Sequence, residues 1–292
     1  MTVKIQNQFL VAEINPFGAE LYSLKSKKTG FEYLWQGNPE FWKNRATVLF
    51  PICGRLFGGK SYYQGKEYEM PLHGIAKLYD FDYKVVAENQ VELTLKANEQ
   101  TKESYPFDFE LKMTYTLIDN VVRTSFNVKN NGQTTMPFSY GGHPGFNLPL
   151  SSDEVFEDYY VEFSKDSLER IVFSDTCFRT EDVKVLKLDD KKLHLKHNLF
   201  DNDALFFKTE TDKVLLTSKS KKACVEVSYK DMTCLGLWHK PKTEAPYVCI
   251  EPWHGVPSDD GKVDDFSTKK QMLELKSNDT FENHFDIKII EG

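Results

Sequence analysis

No window of this chain approaches the ~20 consecutive apolar residues that a membrane-spanning helix requires. The amino terminus, MTVKIQNQFLVAEINPFG, alternates polar with apolar residues and lacks both a long apolar core and a small-residue cleavage site, which predicts a cytoplasmic protein. Cysteine is sparse and unpatterned: Cys53, Cys177, Cys224, Cys234 and Cys249 are odd in number, and no two have the spacing of a redox or zinc-knuckle motif. They are expected to be reduced thiols. An excess of basic charge is missing too. With a formal net charge of −7, neither nucleic acid nor an anionic membrane would be held by general electrostatics.

Several catalytic signatures are also absent. There is no Gly-x-Ser-x-Gly elbow for a serine nucleophile, and no glycine-rich loop for a phosphate or dinucleotide. There is no His-x-His pair, HExxH helix or cysteine cluster for a metal. Chemistry without cofactor or metal is therefore the expectation. Helical periodicity is scarce, with short candidates only at 38–45 (NPEFWKNR) and 268–275 (TKKQMLEL).

What the chain has is alternation of period two. It recurs in VKIQNQFLVAEI, AELYSLKS, YDFDYKVVAENQVELTLKA, FDFELKMTYTLI, VVRTSFNVKN, YYVEFS, VLLTSKS, ACVEVSYK and FDIKII. AENQ at 87–90, IDN at 118–120 and NNG at 130–132 read as tight turns joining successive antiparallel hairpins. No fixed repeat or linker-like shift in composition divides the chain, so residues 1–292 are expected to form one all-β domain. More than a dozen antiparallel strands bury their inward positions best as a large β-sandwich, two sheets packed face to face.

Three segments set one titratable residue in an apolar or glycine-rich stretch: MPLHGIAK around His73, SYGGHPGFNLP around His143, and YVCIEPWHG around Glu251. Two imidazoles and a carboxylate suit proton transfer near neutral pH. His143 and Glu251 each precede a proline, which drives them toward extended backbone and suggests strand ends. Gly141 and Gly142 would let a ligand or another backbone come close. Glu251 follows an apolar strand, and a buried carboxylate is costly unless paired. Arg55, in FPICGRLFGG, is placed to fork onto hydroxyls, a carboxylate or a phosphate, or to form a surface ion pair. His194, His197 and His284 read as solvated surface residues, whereas His239 and His254 sit beside Trp238 and Trp253 and are equally placed to line a pocket. Trp35, Trp42, Trp238 and Trp253 offer flat faces to a sugar ring, although most aromatics serve the core.

Taken in order, GRL with Arg55, LHG with His73, GGHPGFNLP with His143 and CIEPWHG with Glu251 resemble the aldose 1-epimerase (galactose mutarotase) family, and most closely its LacX-like branch. The resemblance spans nearly the whole chain. It implies a galactose mutarotase-like β-sandwich with the sugar in an open cleft on a broad curved sheet, and interconversion of the α and β anomers of an aldose. By that resemblance Glu251 is the base, His143 the acid, His73 lies beside His143 at the ring oxygen or a neighbouring hydroxyl, and Arg55 holds sugar hydroxyls. An aspartate on the substrate is matched by Asp203 or Asp201, with Asp203 favoured. These roles require a protonated His143 and an ionised Glu251. The segment after Arg55, LFGGKSYYQG, departs from the family by lacking an asparagine-arginine pair, so its sugar contacts must differ. A hexose 6-phosphate would need further basic residues, for which Arg45, Arg55, Lys60, Lys77 and Lys240 are candidates. A sugar-binding or sugar-sensing protein without turnover, and a metal-dependent isomerase built from the same residues, are the alternative functions.

Overall fold

A computed structural model describes residues 1–209 and 211–292. The alternating segments become strands, which dominate the chain, and pairing between them is antiparallel apart from Lys60–Tyr63 beside Asp264–Asp265. Nine strands form one sheet, from Lys192–His194 at one edge through Thr280–Glu291, Val121–Asn130 and Phe109–Ile118 to Asp82–Ala87 at the other. Seven strands form a second, in the order Arg179–Lys187, Ser167–Phe173, Leu205–Lys208, Cys234–Trp238, Tyr247–His254, Tyr140–Asn147 and Ala46–Leu49. The two sheets meet through apolar side chains. Phe126 of the first packs on Tyr140 of the second at 5.0 Å between ring centres. A Cβ at Gly142 would lie 2.5 Å from Cζ of Phe285, so glycine there lets the facing sheet approach. Buried apolar side chains from Val3 to Ile289 join in one large cluster between the sheets.

Two of the three expected turns are hairpins, at residues 88–89 and 119–120, the second using positive φ at Asp119. The third is not. Asn130 donates from its side chain to the carbonyls of Thr134 and Leu275, and the chain passes to Met136–Phe138, which pairs with Leu273–Leu275 in a separate sheet. Neither helix candidate forms. Residues 38–45 hold a single turn closed by Trp42 N–H to Asn38 O, and residues 268–275 end in the strand Leu273–Leu275. The one α-helix among the described residues is Glu99–Ser104, started by a reciprocal cap between Asn98 and Thr101. No helix among the described residues is long and apolar enough to cross a membrane.

Candidate active site

The strands Tyr140–Asn147 and Tyr247–His254 are neighbours, with Gly141 opposite Trp253 and Gly145 opposite Cys249. The same register sets His143 directly across from Glu251. Between those two pairs the ladder lapses, because Pro144 and Pro252 have no N–H to donate. Both residues thus lie within strands, at an opened stretch of ladder, rather than at the strand ends that their prolines suggested. Side chains directly opposite on antiparallel strands start about 4.5–5.5 Å apart at Cβ, and here Nε2 of His143 comes to 3.2 Å from Oε2 of Glu251. The row continues across the sheet: Thr47 pairs with His143, Gly236 with Glu251, and Phe206 with Gly236. A Cβ at Gly236 would meet Cζ of Phe206 at 2.9 Å and Cβ of Glu251 at 3.2 Å, so glycine there gives the carboxylate room.

Alternation decides which face holds the site. Val248 and Ile250 point into the main core, while Cys249, Glu251 and Trp253 share the opposite face. Trp42 stacks on His143 at 4.7 Å between ring centres. Gly145 is close to Trp42 and Trp35, and Gly141 to Trp253. Of the two partners the sequence suggested for Gly141 and Gly142, a ligand or another backbone, Gly141 admits the backbone of Pro252 and Trp253, and Gly142 the ring of Phe285.

His73 is held by its backbone. Its N–H donates to Gly54 O at 2.7 Å, and its Nδ1 accepts from Gly54 N–H at 3.1 Å. That acceptor role fixes the neutral tautomer with hydrogen on Nε2. Its ring lies 5.3 Å from that of His143, edge to face. Gly74, with φ +77, follows it where a Cβ would strike Phe50 O at 2.2 Å, so the Leu-His-Gly turn requires that glycine. Arg55 lies 3.7 Å from Asp203 and donates to Thr176 O, an ion pair at the rim.

A cleft of about 260 Å³ is lined by Arg55, His73, His143, Asp203 and Glu251 together. Trp42, Trp238 and Trp253 add aromatic faces, and Lys77 a cation. Asp201 is exposed and does not line it. Trp35 lies behind, in the apolar cluster with Tyr247 and Cys249. His239 and His254 do not line the cleft: His239 is wholly buried against Phe200, and His254 stacks on Tyr140. His194 is exposed as expected, but His197 and His284 are half-buried, because Phe156 covers His197 and His284 packs within the long strand Thr280–Glu291.

Burial sets the protonation of the central pair. It raises the Glu251 carboxyl well above the ordinary range, with the charge of Asp203 adding to it. It lowers His143 to about 3, Lys77 adding to the effect. His73 is likewise pushed well below the usual histidine range, by burial first and then by His143, Lys77 and Arg55. Burial thus favours a neutral pair over the protonated His143 and ionised Glu251 expected from the sequence. Both arrangements contain one transferable proton shared by two groups. Nδ1 of His143, Oε1 of Glu251 and Nε1 of Trp253 are buried without a partner among the described residues.

The family model for aldose 1-epimerase matches residues 1–261. The chain belongs to the aldose 1-epimerase family. Within it, the plasmid-encoded LacX protein of Lactococcus lactis is 32% identical over 99% of this chain and all of that protein, which sets the chain in the LacX-like branch. A galactose mutarotase related enzyme from Lactobacillus acidophilus superposes with a TM-score of 0.95 at 35% identity, covering all of this chain and 98% of that one. A galactose mutarotase-like protein from Lactobacillus casei gives 0.93 at 29% identity, over 99% and 100% of the two chains. The fold is accordingly the galactose mutarotase-like β-sandwich of this family, and a sugar is the class of substrate the family implies. In this member the segment after Arg55 turns away: Phe57 packs on Phe178, Lys60 pairs with Glu67, and residues 56–65 add nothing to the cleft lining. Of the basic residues weighed for a phosphate, only Arg55 and Lys77 line the cleft. Arg45 is spent on Tyr22 and Gln36, and Lys240 on Glu40 O. Thr47 and Phe206 escaped notice in the sequence, whereas Lys77, four residues beyond His73 in the same HGIAK run, is one of the basic candidates that the cleft retains.

Proposed function

We propose that this protein is an aldose 1-epimerase acting by general acid/base ring opening and closure, with residues 1–292 working as one domain in the cytoplasm. The observation that carries this reading is the His143–Glu251 contact at 3.2 Å on a cleft floor between aromatic walls. The shared proton passes from Oε2 of Glu251 to Nε2 of His143 as the sugar binds, and Glu251 then takes the proton of the anomeric hydroxyl while His143 protonates the ring oxygen. The ring opens, the aldehyde turns about the C1–C2 bond, and closure returns both protons. Because every cycle takes and gives one proton, a pair holding a single transferable proton is sufficient, and no net proton crosses to solvent. Sugar hydroxyls complete the unpartnered Nδ1 of His143 and Oε1 of Glu251. His73, holding its hydrogen on Nε2, donates to the ring oxygen or a neighbouring hydroxyl, and Arg55 and Asp203 bind hydroxyls at the rim. The cleft volume lies just below the ~300–1,000 Å³ of sites for drug-sized ligands, which suits a single sugar ring. The five free thiols, four of them buried, fit a reducing compartment.

A phosphorylated aldose is the second reading, favoured by Lys77. This residue lines the cleft and has no hydrogen bond or ion pair among the described residues; burial lowers its pKa and Lys43 adds to that, while Glu20 offsets part of it. Saturation-transfer NMR of anomer exchange on glucose, galactose, xylose and glucose 6-phosphate tests both readings. Exchange faster than buffer, lost in Glu251→Gln, is expected. No acceleration for any of the four sugars would overturn the catalytic reading and leave a carbohydrate-binding protein.

A further inference from the structure

The His143–Glu251 pair has a third neighbour that acid/base chemistry leaves idle. Cys249 precedes Glu251 by two residues on the same strand, so it shares its face. Ligand atoms of His143, Cys249 and Glu251 all lie within 4.8 Å of one another, and all three residues are buried. The 3.2 Å between the His143 nitrogen and the Glu251 oxygen matches the edge of a tetrahedron around zinc, about 3.3 Å for bonds of ~2.0–2.1 Å. The other buried thiols have polar neighbours: Cys53 the carbonyl of His254, Cys234 the side chain of Gln271, and Cys224 the hydroxyl of Thr217. Cys249 has no such partner among the described residues. The remaining polar atoms of the pair, Nδ1 of His143 and Oε1 of Glu251, are buried with nothing to bond among the described residues, so neither side chain is committed to another protein group.

We propose that His143, Cys249 and Glu251 bind a zinc-class divalent ion, and that the ion inhibits the enzyme by occupying both groups that move protons. Thiolate, imidazole and carboxylate together suit zinc or cobalt rather than magnesium or calcium. One thiolate and one carboxylate cancel the charge of a dication, so the buried complex is neutral and escapes most of the penalty for burying charge. On binding, the thiol proton and the proton shared by the pair leave to solvent, and nitrogen, sulfur and oxygen each donate a lone pair to the ion. The remaining position is filled by water or a sugar hydroxyl from the cleft. The inhibitory half of this inference rests on the acid/base reading above; the binding half does not.

Cobalt(II) titration of the purified chain, followed by ultraviolet and visible absorption, tests the site without an activity assay. One equivalent is expected to produce a sulfur-to-cobalt charge-transfer band, removed by competing zinc. Cys249→Ser is expected to abolish that band and to weaken zinc inhibition by more than the ~10–100-fold typical of losing an outer partner, with anomer exchange in metal-free buffer unchanged. Glu251→Gln is expected to keep the band but need more cobalt to fill it, which provides a second route should Cys249→Ser fail to fold. The proposal is overturned by absence of the band in the wild type, by its survival in Cys249→Ser, or by its loss in Cys177→Ser instead. A normal band with no anomer exchange sinks the mutarotase reading and leaves the metal site; exchange without a band does the reverse.

Discussion

Two buried histidine centres lie in this protein, and they are finished differently. At one, Nδ1 of His239 faces Lys240 O at 2.8 Å and must carry the hydrogen, so its Nε2 accepts from Nδ1–H of His197 at 3.1 Å. Phe156 stacks on His197 and Phe200 packs on His239, sealing a pair whose facing nitrogens are all engaged. At the other, His143 meets Glu251 through one nitrogen and leaves the second bare, as Glu251 leaves one oxygen and Trp253 its indole N–H. Unpaired polar atoms in a low-dielectric site are costly. A protein tolerates that cost where a ligand completes the network, so the satisfied centre holds the fold and the unsatisfied one faces the cleft.

Removing either partner of the unsatisfied centre should have the largest effect. His143→Asn and Glu251→Gln are each expected to lower anomer exchange by ~10²- to 10⁴-fold, the range for one positioned acid or base, with near-ultraviolet circular dichroism unchanged. Equal losses on replacing His239 would erase the distinction between the centres. His239→Phe is instead expected to cost about 1–3 kcal/mol of stability by urea unfolding, because it strands the His197 N–H and leaves the Lys240 carbonyl with the Thr243 hydroxyl alone. Since the pair also anchors the turn His197–Phe200 that leads to Asp203, KM should rise more than kcat falls.

Acid acts on the two centres alike. Burial lowers His143 to about 3 and His239 to about 4. The unfolded chain therefore binds protons that the native state refuses, and stability falls as pH drops from about 6.5 toward those values. His143→Asn and His239→Asn should each make that decline shallower, measured as denaturation midpoint against pH. The smallest effect belongs to exposed His194. His194→Asn should leave exchange unchanged and stability within about 0.5 kcal/mol.

Much of this was legible in the chain. Alternation marked the strands because a half-buried sheet imposes period two on sequence, and the prolines after His143 and Glu251 marked extended backbone there, although the strands continue past both. The helix signals failed because two or three apolar residues at helical spacing occur by chance in a short window. At 273–275 pairing with Met136–Phe138 overrode them. Asn130 was visible as a turn former, but not as a side chain that redirects the chain to another sheet by bonding Leu275 O, 145 residues away. Lys77 was one of five basic candidates for a phosphate that nothing in the sequence could rank, and only the cleft sets it and Arg55 apart from Arg45, Lys60 and Lys240.

By itself the sequence determined the residue types, the period-two strands and the extended backbone at His143 and Glu251, because these depend on local sterics and on which side chains water rejects. It determined equally that four short segments recur in family order. Tertiary structure decided what no local rule contains: that residues 108 positions apart face each other at 3.2 Å across two strands, that Gly236 rather than a larger residue adjoins Glu251, and that both members of the pair are buried. Protonation follows from that burial. A carboxyl and an imidazole have ordinary affinities for protons in an extended chain, and only their shared removal from water drives the first up and the second down.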